Sequence, residues 1–231
     1  MLSNEMIGLV SFAATVGCYA VNKRLYGRYR HVLLMPLIAT PVVLIALVLC
    51  TQVSFPQYYA QTHWLGWLLG PTTVAFALPL HANRDLLKKH WMSIATGVIA
   101  ATVVSIGTSV LFAQWFGLPE ELEKGLAVRS ITTPFAVEAE KVLGGPTDLA
   151  VLFVLLTGVS AMLLGQTVLR LLPRIRSKLA TGASWGGAAH GSGVARARQA
   201  GEVQAVMASL VMLIAGALNV LVAPWIKTLL F

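Results

Sequence analysis

The feature that most constrains this chain is a set of six apolar runs, each close to the length of helix that crosses a bilayer. A hydrocarbon core about 30 Å thick takes ~20 helical residues. Runs of that order lie near 5–21, 32–51, 64–82, 92–116, 147–172 and 203–226. Little remains between them to build a soluble domain. Of 231 residues, 57% are apolar and 11% charged, under half the charged share of a soluble globular protein. The expected class is an all-α integral membrane protein, with a single transmembrane domain over 1–231. The net charge of +8 does not mark a nucleic-acid partner, because the Lys and Arg residues flank apolar runs, where they report orientation. Cys18 and Cys50 lie inside apolar runs without metal or redox spacing, and no metal or organic cofactor is expected. The first run lacks a basic front and a small-residue cleavage site, so no cleavable signal peptide is expected.

The basic clusters set the sidedness. Lys23, Arg24, Arg28 and Arg30 join the first two runs. Arg84, Lys88 and Lys89 join the third and fourth, and Arg170, Arg174, Arg176 and Lys178 follow the fifth. By the positive-inside rule all three face the cytoplasm. The 52–63 connection has no Lys or Arg, and 117–125 carries Glu120, Glu121 and Glu123; both are expected outside, with both termini. Tyr58, Tyr59, Trp64, Trp67, Trp115 and Trp225 then fall at the outer interface and Tyr26, Tyr29 and Trp91 at the inner one, as an aromatic belt would place them. His31, His63, His81 and His90 fall at run ends and are expected at the interfaces.

Two polar stretches do not fit an ordinary crossing. The fourth run must exit outside and the fifth must end inside, so 121–145 has to begin and finish on the outer face. Each half of it, before and after Thr-Thr-Pro, is about ten residues, roughly 15 Å of helix, enough to reach the midplane. The segment is expected to be a re-entrant hairpin entering from outside. By the same reasoning 178–200 enters from the cytoplasm and turns near His190-Gly191-Ser192-Gly193. Each hairpin precedes an apolar helix bearing a glycine, Gly158 or Gly216. The pair reads as an inverted repeat, an architecture common among secondary carriers.

The turns are the candidate site, because irregular backbone at membrane depth survives only when buried in protein or lining a wet cavity. Thr133 is expected to cap the second half of the first hairpin, with Pro134 at its first position. Gly191 and Gly193 would permit positive-φ backbone in the second, with Ser192 as a cap. Two half-helix N-termini meeting from opposite faces form an anion site, and Arg129 either grips a carboxylate bidentately there or snorkels or pairs with Glu138. His190 is either a ligand or proton carrier or a structural hydrogen-bonding group. Thr132 and Thr133 either line the site or satisfy helix carbonyls. Glu138 and Glu140 are expected to be outer-face charges ahead of proton sites. Gly70-Pro71 interrupts the third run and either kinks it or opens the backbone at Thr72 and Thr73 beside the same cavity.

Three stretches, "GPTTVAFALPL" (70–80), "RSITTPFAVE" (129–138) and "GAAHGSGVARA" (187–197), resemble the motifs of the LrgB/CidB family of antiholin-like proteins. The resemblance covers nearly the whole chain in order, with Arg129 in place of Lys, Ala189 of Ser and Val194 of Thr. It implies a multi-pass protein of the bacterial cytoplasmic membrane, working with a small LrgA/CidA-type membrane partner. It also implies one of two roles: control of murein hydrolase activity and autolysis, or, as in related plastidic glycolate/glycerate translocators, carriage of small monocarboxylates such as pyruvate. Mapped onto the motifs, Arg129, Ser130, Thr132, Thr133, Pro134, His190, Gly191, Ser192, Gly193, Arg196, Thr72 and Thr73 form the expected substrate-binding set.

The residues themselves favour a secondary carrier of small organic anions, with a proton as the coupling ion ahead of Na⁺ and a homo-oligomeric assembly in the bilayer. The alternative is an antiholin-like regulator without its own substrate. No paired catalytic carboxylates, HExxH or nucleophile–base motif is present, so an enzyme is not expected. In a background free of Cys18 and Cys50, single cysteines at positions 121 and 145 should react with an impermeant thiol reagent from the same, outer side. Labelling of the two from opposite sides would remove the first hairpin.

Overall fold

The structure is a computed structural model that describes residues 4–75, 77–171, 175 and 177–231, with the backbone alone at Val32. Every regular element among the described residues is helical. Five helical stretches are long and apolar enough to cross a membrane: Asn4–Tyr29, Phe55–Ala82, Trp91–Trp115, Thr147–Leu171 and Glu202–Leu230. The expected run at 32–51 gives a shorter apolar helix, Pro36–Thr51, of 16 residues. At 1.5 Å per residue that is about 24 Å, short of a full hydrocarbon core. Pro36 fixes its start, and Gln52, with a left-handed φ of 52°, ends it.

The chain divides into two compact units, Met1–Thr72 and Thr73–Phe231. In the first, α1 (Asn4–Tyr29), α2 (Pro36–Thr51) and α3 (Phe55–Trp67) pack together and lead into α4 (Leu69–Ala75). Helix α1 runs past the expected end of its apolar run. Lys23, Arg24 and Arg28 ride on its last two turns, where cations suit the helix dipole, and Arg30 turns the chain with φ 46°. Asn22 donates to the Thr40 hydroxyl (3.1 Å), and Thr15 and Tyr58 share a hydrogen bond of 2.9 Å. The polar groups inside this unit are thus paired, as a bilayer requires. The expected loop at 52–63 is helical from Phe55. The third apolar run is interrupted at Leu68, two residues before Gly70-Pro71.

The second unit contains α5 (Ala77–Ala82), α6 (Arg84–Lys89), α7 (Trp91–Trp115), α8 (Glu120–Ala127), α9 (Thr133–Leu143), α10 (Thr147–Leu171), α11 (Lys178–Ala200) and α12 (Glu202–Leu230). Helix α12 lies at its centre. One side of α12 packs Met207, Leu210, Val211 and Ala215 on Ile94 and Val98 of α7. Ala223, further along, joins Ile106, Val128, Ile131, Leu143 and Val154 in a core shared by α7, α8, α9 and α10. Asn219, 2% exposed, donates to the Ala215 carbonyl (2.8 Å) and to the Thr102 hydroxyl (3.3 Å), tying α12 to α7. Large apolar side chains such as Val103, Leu111, Leu164 and Leu221 remain exposed, the outward face of a bundle solvated by lipid. Arg174 and Arg176 of the expected basic cluster lie outside the described residues.

Both expected hairpins appear as broken helices. Helices α8 and α9 are separated by residues 128–132. In α11 the break is a single residue, His190, with φ 41° and ψ −131°. The chain doubles back there. The Cα of Gly193 lies so close to the Trp185 carbonyl that a Cβ would overlap it, although eight residues of straight helix would put about 12 Å between them. The first half of α11 also presses on α12, where a Cβ on Gly186 would overlap the Ala208 backbone. Helices in lipid associate through such small-residue contacts because no hydrophobic force separates protein from tail.

Gly186→Ala should therefore push α11 off α12 and cost about 1–3 kcal/mol, seen as a lower Tm in detergent. Gly107→Ala, at a helical position with nothing within 4 Å, should stay within about 1 kcal/mol of wild type, on the stabilising side.

Candidate functional site

The first break is held by hydroxyls on one face of α7. Ser105 donates to Ser130 (2.6 Å), Ser109 donates back to the Ser105 carbonyl (2.6 Å), and the Nε of Arg129 donates to the Ser109 hydroxyl (2.8 Å). Both Ser109 and Ser130 are buried. Helix α9 begins one residue earlier than expected. Thr132, not Thr133, is its N-cap, in extended conformation (φ −70°, ψ 145°), with its carbonyl accepting from the amides of Phe135 and Ala136. Thr133 takes the first helical position and Pro134 the second, where its missing N–H costs nothing. The Thr132 side chain makes no capping bond.

The second break differs from expectation in which residue bends. Gly191 and Gly193 do not take positive φ; His190 does. A non-glycine residue in such a conformation stores about 1–3 kcal/mol and persists only where its surroundings hold it. His190 is 6% exposed, with Nε2 3.1 Å from the Val154 carbonyl of α10. Ser192 does not act as an N-terminal cap; its hydroxyl donates to the Ala189 carbonyl (2.6 Å). Gly193 contributes its lack of a side chain at the Trp185 crossing, rather than an unusual dihedral.

Each break is received by the helix that follows the other. A Cβ on Gly158 of α10 would lie 3.1 Å from the His190 ring and 3.2 Å from the Ser192 hydroxyl; a Cβ on Gly216 of α12 would overlap the Phe135 ring, three residues past the Thr132 cap. The two glycines that mark the sequence repeat thus occupy corresponding positions in a crossed pair.

Arg129 and Ser130 open onto a cavity of about 740 Å³ within the second unit. Its walls are one face of α7 (Ser93, Gly97, Ala101, Ser105, Thr108), one face of the first half of α11 (Ala180, Ser184, Gly187, Ala188), and Met207 and Val211 of α12. Of the expected set, the cavity brings Arg129 and Ser130 together. Thr132, Thr133, Pro134, His190, Gly191, Ser192 and Gly193 are not on its lining. Arg196 donates to Gln199 further along α11 (2.8 Å). Thr72 is exposed on α4 and donates to the Leu68 carbonyl (2.6 Å); Thr73 is half-buried on the same helix. The serines and threonine of α7 were the residues sequence reasoning passed over. Their signal was hydroxyls at helical spacing (105, 108, 109) inside an otherwise apolar run.

The LrgB-like family model matches residues 15–229. The chain belongs to that family. Its relatives include the uncharacterized protein YwbG of Bacillus subtilis, 34% identical over 220 residues, covering 95% of this chain and 97% of the relative. The antiholin-like protein LrgB of the same organism is 31% identical, with 96% of each chain covered. The holin-like protein CidB of Staphylococcus aureus is 28% identical, covering 96% of this chain and 97% of the relative. No solved structure matches. Family membership and the five apolar helices together make this LrgB-like chain a multi-pass bacterial membrane protein.

Two acidic residues of this LrgB-like chain part company. Glu138 is exposed and paired with Lys141 at 2.7 Å. Glu140 is not: it is 0% exposed, because positions 136, 139, 140 and 143 share the buried face of α9 at helical spacing.

Ser109→Ala should remove the partner of the Arg129 Nε and lower stability by about 1 kcal/mol, read as a fall in Tm. Ser109→Thr, which keeps the hydroxyl, should restore most of it.

Proposed function

We propose that this LrgB-like protein is a secondary carrier of small monocarboxylates of the glycolate, glycerate, pyruvate or lactate type, coupled to protons. The observation that carries this reading is the Arg129 guanidinium on the wall of a cavity whose other lining residues, apart from His90, are hydroxyl-bearing, small or apolar. Ser109 engages Nε, which leaves the two terminal nitrogens as a fork for a bidentate carboxylate. Among the described residues no carboxylate forms an ion pair with Arg129. Ser105, Thr108 and Ser130 line the same cavity and suit the hydroxyl or keto group beside such a carboxylate. A volume of about 740 Å³ lies within the range of small-molecule clefts and would hold a three-carbon acid together with water.

In this reading the two broken segments are re-entrant hairpins from opposite leaflets, and their crossed packing on Gly158 and Gly216 is the pivot of alternating access. The expected LrgA/CidA-type partner and a homo-oligomeric assembly belong to the same reading. So does proton coupling in preference to Na⁺. The antiholin-like and holin-like names of the relatives favour a second reading, a regulator of murein hydrolase activity without its own substrate. The two differ in an assay: a carrier saturates and discriminates by chemistry, whereas a pore leaks by solute size.

In proteoliposomes, Arg129→Gln should weaken apparent affinity for a labelled monocarboxylate by about 10- to 100-fold, the range of a lost charge-assisted hydrogen bond. Arg129→Lys should retain part of it. Uptake with wild-type affinity and rate in Arg129→Gln would remove the guanidinium from the site.

A further inference from the structure

Glu140 is a carboxyl group with no partner. It is 0% exposed, and neither of its oxygens has a hydrogen-bond donor; among the described residues these are the buried side-chain polar atoms left unsatisfied. It shares the inner face of α9 with Ala136, Ala139 and Leu143, each also 0% exposed. Gly145 closes over it, so tightly that a Cβ there would overlap Oε1. A carboxylate in such a place carries a desolvation penalty of several kcal/mol. The helix adds to that penalty. Glu140 is in the last turn of α9, which ends at Gly144 with φ 81°, and the carbonyl end of a helix dipole repels an anion.

The surrounding charges do not neutralise it in this conformation. From α8, Lys124 lies beside Gly145 but pairs with Glu120 and sits over the Phe231 ring. From α12, the Lys227 Nζ lies 3.4 Å from where a Gly144 Cβ would be. Helix α10 brings Asp148 in its first turn. On α9 itself Glu138 and Lys141 pair with each other outside. Neither lysine forms an ion pair with Glu140 among the described residues. Lys124, held by Glu120, and Lys227 lie near this end of α9 without an ion pair to Glu140, so the site can receive a charge without holding one now.

We propose that Glu140 is the proton-binding site of this protein: its carboxyl is the neutral acid in the conformation described here, and it ionises when a conformational change wets the Gly144-Gly145 end of α9. The O–H bond breaks, the proton passes to water, and the resulting carboxylate is met by Lys124 and Lys227. The reverse step reloads the acid and lets α9 pack closed. Because α9 starts at the Thr132 cap beside Arg129, about 12 Å from Glu140 along the helix, protonation and the anion cavity act on one rigid half-helix. The coupling role rests on the carrier reading; the neutral acid does not.

The test therefore has two arms on the full chain in liposomes. In the first, infrared spectra are recorded while pH is raised from acid through neutral to alkaline. Wild type is expected to show the C=O stretch of a protonated carboxyl at neutral pH, lost on the alkaline side and missing in Glu140→Gln and in the apolar variant Glu140→Leu. Identical carboxyl bands in wild type and both variants would overturn the proposal. In the second arm, uptake of labelled lactate is compared with and without an inward-directed pH gradient. The ratio should exceed one in wild type and fall to one in Glu140→Gln; an undiminished ratio in the variant overturns the coupling role. Wild type without saturable uptake would remove the carrier reading, while the infrared arm still decides whether Glu140 holds a proton.

Discussion

A helix that stops partway through an apolar bundle exposes amides and carbonyls that lipid cannot satisfy, and the second unit is organised around meeting that demand twice. At the first break the hydroxyls of α7 take up Arg129 and Ser130. At the second the Val154 carbonyl of α10 takes up the His190 ring, and glycines let the halves of α11 close on each other and on α12. The two solutions differ because the residues differ. A polar break rich in side-chain donors needs polar walls and leaves a cavity. A break in a Gly/Ala segment needs close backbone contact. The cavity accordingly opens at Arg129 and Ser130, with the first half of α11 as one of its walls.

Much of this was legible in the sequence. The apolar runs gave the class and three of the five long helices, Trp91–Trp115, Thr147–Leu171 and Glu202–Leu230, to within a few residues. The argument from chain direction located both breaks, and the glycines singled out as repeat markers, Gly158 and Gly216, turned out to receive the opposite breaks. Three things were not legible, each for a physical reason. The length of α2 depends on where Pro36 and Gln52 stop it, not on how far apolar residues extend. The strained residue of α11 is His190 rather than a neighbouring glycine. Propensity names the residue that bends most cheaply, whereas tertiary contacts choose the one held in place. Glu140 was expected outside because it follows Glu138 by two residues in a charged stretch. Two residues on a helix are about 200° apart, so one faces out and the other in.

The crossed glycine contacts also bear on how the unit could move. Each break is packed against the long helix of the other repeat, so neither hairpin can shift without displacing the helix that follows its counterpart. Packed interfaces of this kind switch between discrete arrangements rather than deform gradually. Two broken segments locked crosswise would give a single coupled change in place of two independent ones, which is what the carrier reading requires for alternating access.

Helix α9 is where these constraints converge. Its N-terminus is fixed by the Thr132 cap beside the guanidinium and hydroxyls of the cavity, and its C-terminus is fixed by Gly144 and the buried carboxyl of Glu140. The dipole of this half-helix favours an anion at the first end and disfavours one at the second. Charge added at either end therefore pulls on the same short rod, in one case toward closure and in the other toward opening. On the carrier reading, a substrate carboxylate at the N-terminal end and a proton at the C-terminal end would both favour the packed position. That gives the two ligands a common conformational preference without any direct contact between them, which is the thermodynamic content of coupling.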